Sequence, residues 1–252
     1  MALACPARRR FAAMIFAVIL AYNEEAALPG LLRALEERLA GEPHRFLVVD
    51  DGSRDGTAAA ARQAARSLPV TLLGHPVNQG VGRAFDTGLR RACAEASDDD
   101  IVVTLEGDMT NDPACVPSMI ERLRQGCDVV CASRYARGGA YVGFPLKRRI
   151  LSLGANLAAR WIIGIPGVKD YTLFCRAYRA EVLKRALARC GPRFIERRGF
   201  CANCEILLKV QRAGPVRCGE VPMVYRYDLK RGASSMKVLA NLAEYWRLFR
   251  SA

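Results

Sequence analysis

The segment Phe46-Leu47-Val48-Val49-Asp50-Asp51-Gly52-Ser53-Arg54-Asp55-Gly56-Thr57 decides how this chain folds. An apolar run stops at two carboxylates, a glycine allows a turn, and helix-starting residues follow. Ser53, Asp55 and Thr57 are all good N-caps, and the alanine-rich stretch 58–65 has high helix propensity. Asp50 and Asp51 are thereby predicted at the end of a parallel strand, where open α/β sheets bind ligands. An ordinary solvated loop accommodates two such acids equally well, so the reading needs a second strand end of the same kind.

That second end is Ile101-Val102-Val103-Thr104-Leu105-Glu106-Gly107-Asp108. Residues two apart in an extended segment point the same way, so Glu106 and Asp108 can reach one ion. Hard oxygen ligands of this type suit Mg²⁺ or Mn²⁺, with substrate phosphates completing the shell.

Working outward, the pattern predicts strands over 16–20, 46–50, 70–73, 101–105 and 128–133. Helices are predicted over 26–40, 57–67, 80–96 and 115–124. Helical lengths alternating with short β-rich runs indicate βαβ units around a mostly parallel sheet, an α/β class. No Gly/Ser-rich linker and no internal repeat interrupts the chain. Residues 1–252 are therefore read as one domain, with a nucleotide-binding half (16–135) and a second half (136–252).

The 252 residues, 51% of them hydrophobic, suffice for a full core. The apolar run 11–21 is half the length of a bilayer span and continues into Asn23, Glu24 and Glu25. It is read as a first buried strand rather than a signal peptide or membrane helix. Ten cysteines without an export signal are read as small buried hydrophobes. Cys201 and Cys204 are predicted on one face at a helix start, because a structural zinc site needs two closely spaced pairs and Cys190 and Cys218 stand alone.

The net charge of +13 gathers at 8–10, 147–149, 193–198 and 226–231, favouring an anionic partner. No nucleic-acid-binding motif is present, so nucleic acid is not expected among the partners. In 144–165, Leu146, Ile150, Leu153, Leu157 and Trp161 recur at helical spacing beside Lys147, Arg148 and Arg149. Periodicity alone favours core packing for this stripe. The segment 236–249 repeats it with Met236, Leu239, Ala243, Trp246 and Phe249, and two such cation-flanked helices point to a membrane interface.

Several further motifs fall in order along the chain. They are Ala21-Tyr22-Asn23-Glu24-Glu25, the Val49-Asp50-Asp51-Gly52-Ser53 corner, Asn78-Gln79-Gly80 with Gly88, and Glu106-Gly107-Asp108. Beyond them come Ser133-Arg134-Tyr135, Arg176-Ala177-Tyr178-Arg179, Glu220-Val221-Pro222, and Arg231-Gly232 with Ser234 and Lys237. From residue 16 to 237 this series resembles the family-2 glycosyltransferases of the GT-A fold, most closely the dolichyl-phosphate mannose synthase and polyprenyl-phosphate glycosyltransferase branch.

The resemblance implies that Tyr22, Glu24 and Asp51 contact the base and ribose of a nucleotide sugar, with Val49 and Gly107 in the same donor-binding strand ends. Glu106 and Asp108 occupy the family's Asp-x-Asp place, where Mg²⁺ or Mn²⁺ meets the donor diphosphate. Here the first acid is Glu, and Thr110 stands where close relatives carry Gln. A cation at Asp108 stabilises charge growing on the leaving diphosphate. A phosphate acceptor arrives ionised, so cationic groups matter more than a base, and Arg134, Arg231 and Lys237 match the clamp. Glu205 is a further candidate for acceptor contact. The expected reaction is inverting transfer of a hexose from GDP-mannose or UDP-glucose to a polyprenyl or dolichyl phosphate. The expected place is the cytoplasmic face of a membrane, peripherally, with room for a separate anchoring subunit. Two rival readings are a soluble transferase acting on a glycan or protein with an acidic base, and a non-catalytic nucleotide or nucleic-acid binding module.

Overall fold

The computed structural model describes residues 13–230. In chain order it contains β1 (Ile15–Ala21), α1 (Leu28–Arg38), β2 (His44–Asp50), α2 (Thr57–Ala64), β3 (Val70–Gly74), α3 (Val81–Glu95) and β4 (Ile101–Glu106). A short 3-10 turn at Pro113–Cys115 leads into α4 (Val116–Arg124), then β5 (Val129–Ser133), β6 (Ala140–Val142) and α5 (Leu146–Ile163). The chain closes through β7 (Arg176–Arg179), α6 (Ala180–Cys190), α7 (Ala202–Arg212), β8 (Cys218–Pro222) and β9 (Val224–Arg226). Every strand and helix expected between residues 16 and 133 is present, with ends shifted by at most three residues.

The main sheet has seven strands in the order β3-β2-β1-β4-β7-β5-β8. All neighbours are parallel except β7, which runs antiparallel between β4 and β5. The second half of the chain thus contributes β7 and β8 to the sheet begun by the first. A small parallel pair, β6 with β9, stands apart from it.

All seven β1 residues are buried, and they alternate between two cores. Phe16, Val18 and Leu20 face Phe85, Leu89 and the residues of α6 and α7. Ile15, Ala17 and Ile19 face Leu31, Leu35 and the residues of α4. Burial on both faces explains why the strands read as continuous apolar runs rather than alternating ones. Cys201 and Cys204 are fully buried at the start of α7.

Helix α3 lies tight on the sheet at Gly88, where an added Cβ would stand 2.4 Å from Val18 Cγ1 and 3.0 Å from Val49 Cγ2. Gly88→Ala is therefore expected to lower stability by about 1–3 kcal/mol through overpacking. Urea unfolding of the variant checks this, and an unchanged midpoint would contradict the close packing of α3 on β1 and β2.

Candidate active site

The ends of β1, β2 and β4 lie side by side, with Ala21 in register with Asp50 and Leu20 with Glu106. The two loops that follow β1 and β2 are laced together. Asn23 N donates to Ser53 Oγ at 2.9 Å, Glu24 N to Thr57 Oγ1 at 2.7 Å, and Gly56 N to Glu25 Oε2 at 2.6 Å. The hydroxyls expected to cap α2 therefore hold the β1 loop instead, and Gly56 occupies the cap position without a side-chain bond. Gly52 makes the corner, with φ +70° and no room for a Cβ against the Val77 backbone.

Asp51 is 4% exposed and accepts Gln79 N at 2.9 Å and Gly80 N at 2.8 Å, while His75 Nδ1 lies 2.7 Å from its Oδ1. Three contacts fix this carboxylate, and it positions the entry to α3. His75 carried no sequence signal, since it reaches Asp51 only once β3 lies beside β2. Tyr22 is 36% exposed at the rim. The side chain of Val49 is fully buried against Gly88, beneath Asp50 and Asp51, which leaves its backbone as the part that could meet a substrate.

At the β4 end, Gly107 N donates to Leu20 O at 2.7 Å, and a Cβ at Gly107 would stand 2.9 Å from that oxygen. A glycine lets the chain pass that carbonyl between Glu106 and Asp108. Asp108 is nearly buried, with Oδ1 accepting Thr110 N at 3.1 Å and Thr110 Oγ1 at 2.6 Å. Glu106 Oε2 accepts Asn111 Nδ2 at 3.0 Å. Burial, then the neighbouring Asp108 charge, pushes the Glu106 carboxyl up to about 7. Burial together with Asp108 and Glu106 does the same to Glu24, which is also pushed up to about 7. Three acids thus share one small volume.

Lys230 answers this charge, and sequence reasoning missed it. Its Nζ lies 2.7 Å from Asp108 Oδ2. Burial disfavours its charge, yet Asp108, Glu106 and Glu24 together raise its pKa. The acids therefore demand a cation. Among the described residues no three of His, Cys, Asp and Glu group as a self-sufficient metal site. Glu106 and Asp108 instead form the two-carboxylate set that suits Mg²⁺ or Mn²⁺ when phosphates supply the remaining oxygens.

Beside the acids stands an aromatic wall. Tyr225 bridges to Asn111, and Arg226 N donates to Thr110 O at 2.9 Å, tying β9 to the acid loop. Phe144 meets Tyr141, Tyr225 and Tyr227 at centroid distances of 5.2, 5.5 and 5.2 Å. Arg148 lies over Tyr227 and Arg149 over Tyr141. Arg134 sits inside this wall, 5.1 Å from the Tyr141 ring centre.

Arg134 differs from the open phosphate clamp expected of it. Its Nε and Nη2 each lie 2.8 Å from an Asp170 oxygen, and the side chain is 4% exposed. Burial alone would raise the Asp170 carboxyl, but the Arg134 charge and hydrogen bonds hold it below the usual range. The fork is filled by a carboxylate of the chain itself. Glu205 is likewise committed: Oε2 accepts Glu196 N and Arg197 N at 3.0 and 2.9 Å, and Oε1 accepts Lys209 Nζ at 2.7 Å. It is 1% exposed and braces the loop before α7. Arg231 and Lys237, with the segment 236–249, lie outside the described residues.

The stripe on α5 faces outward. Leu146, Ile150, Leu153, Leu157 and Trp161 are 69, 62, 56, 56 and 84% exposed. Core packing, which periodicity favours, is therefore not what these side chains do within the described structure. No described helix is long and apolar enough to cross a membrane.

Residues 16–187 match Glycosyl transferase family 2. The polyprenol monophosphomannose synthase of Mycolicibacterium smegmatis is 30% identical over 237 residues, covering 92% of this chain and 84% of that protein. The dolichol-phosphate mannosyltransferase of Pyrococcus furiosus is 29% identical, covering 92% of this chain but 63% of its own longer one. Among solved structures, glucosyl-3-phosphoglycerate synthase from Mycobacterium tuberculosis, in complex with Mn²⁺, UDP-glucose and phosphoglyceric acid, superposes with a TM-score of 0.62 at 20% identity, covering 93% of this chain and 76% of that one. That likeness shows the shared GT-A fold. With acids at adjacent strand ends, this sheet and this profile, the chain belongs to the family-2 glycosyltransferases.

Proposed function

We propose that this glycosyltransferase moves a hexose from GDP-mannose or UDP-glucose to a polyprenyl phosphate at a membrane surface, with inversion and with Mg²⁺ or Mn²⁺. One arrangement carries the reading. The acids Glu106 and Asp108, the aromatic wall at Tyr225 and Tyr141, the cations Arg148 and Arg149, and the exposed stripe of α5 follow one another across the molecule. A water-soluble diphosphate suits the first part and an anionic lipid headgroup the last.

On this reading Glu106 and Asp108 hold the metal, which supplies charge stabilisation to the departing nucleoside diphosphate. Tyr22, Glu24 and Asp51 line the nucleoside end. Lys230, close enough to pair with Asp108, is available to the diphosphate once a metal takes the acids. The acceptor phosphate is assigned to Arg148 and Arg149 at the start of α5, with Arg231 and Lys237 completing the cationic side and Arg134 supporting it from within. The stripe of α5 then lies in the lipid interface, its cations against anionic headgroups. The enzyme is peripheral, on the cytoplasmic face, with a separate anchoring subunit as a compatible partner.

The test uses purified protein, labelled GDP-mannose or UDP-glucose, Mg²⁺, and anionic vesicles carrying a polyprenyl phosphate. Label is expected in the chloroform phase with one donor and none after EDTA. Failure with both donors overturns the assignment.

A further inference from the structure

Of the eighteen residues of α5, only Asn156, Ala159 and Ile163 are buried. The helix is attached along a narrow seam while most of its bulk faces outward, the low packing density expected of an element whose stability depends on what covers it. Asn156 is the one polar group in that seam, and its carboxamide is used on both sides. Oδ1 accepts Tyr171 N at 2.7 Å. Nδ2 donates to Tyr135 Oη at 3.1 Å, with Thr172 Oγ1 at 3.3 Å and Asp170 Oδ1 at 3.4 Å.

The three partners of Nδ2 belong to the surroundings of Arg134. Asp170 and Thr172 take its guanidinium, and Tyr135 carries a ring 5.6 Å from it. Tyr135 Oη also accepts from Tyr141 Oη at 2.8 Å, and Tyr141 lies under Arg149. One side chain on the exposed helix therefore touches the buried ion pair and the first of two linked tyrosines that reach an exposed cation. Hydrogen bonds in a buried network hold only within a few tenths of an ångström and strengthen one another. A small shift of α5 across its seam changes all of these contacts together.

We propose that Asn156 is a positioning residue that couples the seating of α5 on a lipid surface to the arrangement of Arg134, Tyr135 and Tyr141, so that the acceptor side is fully assembled only at a membrane. The inference rests on the membrane reading of the proposed function. Lipid contact at the outer stripe fixes α5, and Asn156 carries that placement inward.

The experiment compares turnover of one donor with farnesyl phosphate in solution and with a long polyprenyl phosphate in phosphatidylglycerol vesicles, for wild type, Asn156→Leu and Tyr135→Phe. Flotation with the same vesicles is measured alongside. Wild type is expected to turn over faster on vesicles. Asn156→Leu, with its outer stripe intact, should float as wild type does and keep its KM. Its vesicle kcat should fall on the order of tenfold, towards the solution rate, once the buried hydrogen bonds on both sides of the carboxamide are gone. Tyr135→Phe removes the hydroxyl that links Asn156 to Tyr141 and should move the ratio the same way, giving a second reading should Asn156→Leu fold poorly. A vesicle-to-solution ratio unchanged in both variants overturns the coupling. An equal loss on both acceptors also overturns it, since that marks a merely structural contact. Wild type that neither floats nor labels lipid fails differently, and sinks the membrane reading itself.

Discussion

Asp108→Asn is expected to lower turnover by 10²-fold to 10³-fold, the scale seen when preorganised charge is removed from a transition state. The substitution is nearly isosteric. The amide oxygen can still accept from Thr110 N and Oγ1, the bonds that now hold Oδ1 at 3.1 and 2.6 Å. On the other side an NH₂ group replaces Oδ2, which lies 2.7 Å from the Lys230 ammonium. Two donors then face each other, and the acid pair loses one of its two carboxylates. Folding should survive, since the loop geometry depends on the Thr110 bonds and on Gly107. Glu106→Gln should also lower turnover, by removing the second carboxylate of the pair that would hold the cation. Steady-state kinetics with saturating Mn²⁺, beside thermal unfolding, separates the cases. Asp98→Asn, an exposed acid paired with Lys184, serves as the control. Wild-type turnover in Asp108→Asn would remove the acids from the chemistry.

Much of this site was legible because its signals are local. An apolar run ending in Asp50-Asp51-Gly52 specifies strand, acids and turn within a few residues, and Glu106-Gly107-Asp108 does so again. What escaped the sequence is what the fold joins across distance. Asp170 lies in an irregular stretch before β7, 36 residues from the arginine it neutralises, and Lys230 lies 122 residues from Asp108. Neither neighbourhood carries a pattern announcing the partner. Arg134 shows the consequence: the family resemblance implied a phosphate clamp, but only tertiary structure shows the guanidinium filled by a carboxylate. The antiparallel insertion of β7 was equally hidden, since strand polarity depends on the path between elements and not on the strand's own residues. Helix α5 marks a different limit. Periodicity located the stripe of Leu146, Ile150, Leu153, Leu157 and Trp161, but a stripe is the same whether it faces a core or a lipid.

Asp170→Ala is expected to destabilise the enzyme by about 3–5 kcal/mol, the cost of leaving a buried charge without its partner. Arg134 has little alternative, because its side chain is 4% exposed and its fork is shaped around the two Asp170 oxygens. Water cannot readily replace them. Arg134→Met should cost a similar amount, now by stranding Asp170, whereas the double variant Arg134→Met with Asp170→Leu should recover most of the loss, as buried pairs replaced by packed apolar groups often do. The pH dependence distinguishes this account from simple loss of packing. Asp170 has a folded pKa below its unfolded value of about 3.9, so its contribution is fully present above that value and disappears as pH falls through the folded one. Urea unfolding at neutral pH and again below pH 4 should show wild type losing this increment on acidification and the double variant keeping a flatter profile. If Asp170→Ala unfolds at the wild-type urea midpoint, the pair is not what secures Arg134. The double variant also separates structure from chemistry: with stability restored and the guanidinium gone, any remaining deficit in transfer to polyprenyl phosphate measures what the Arg134 charge contributes to the acceptor side, beyond holding Tyr135 and Tyr141 in place.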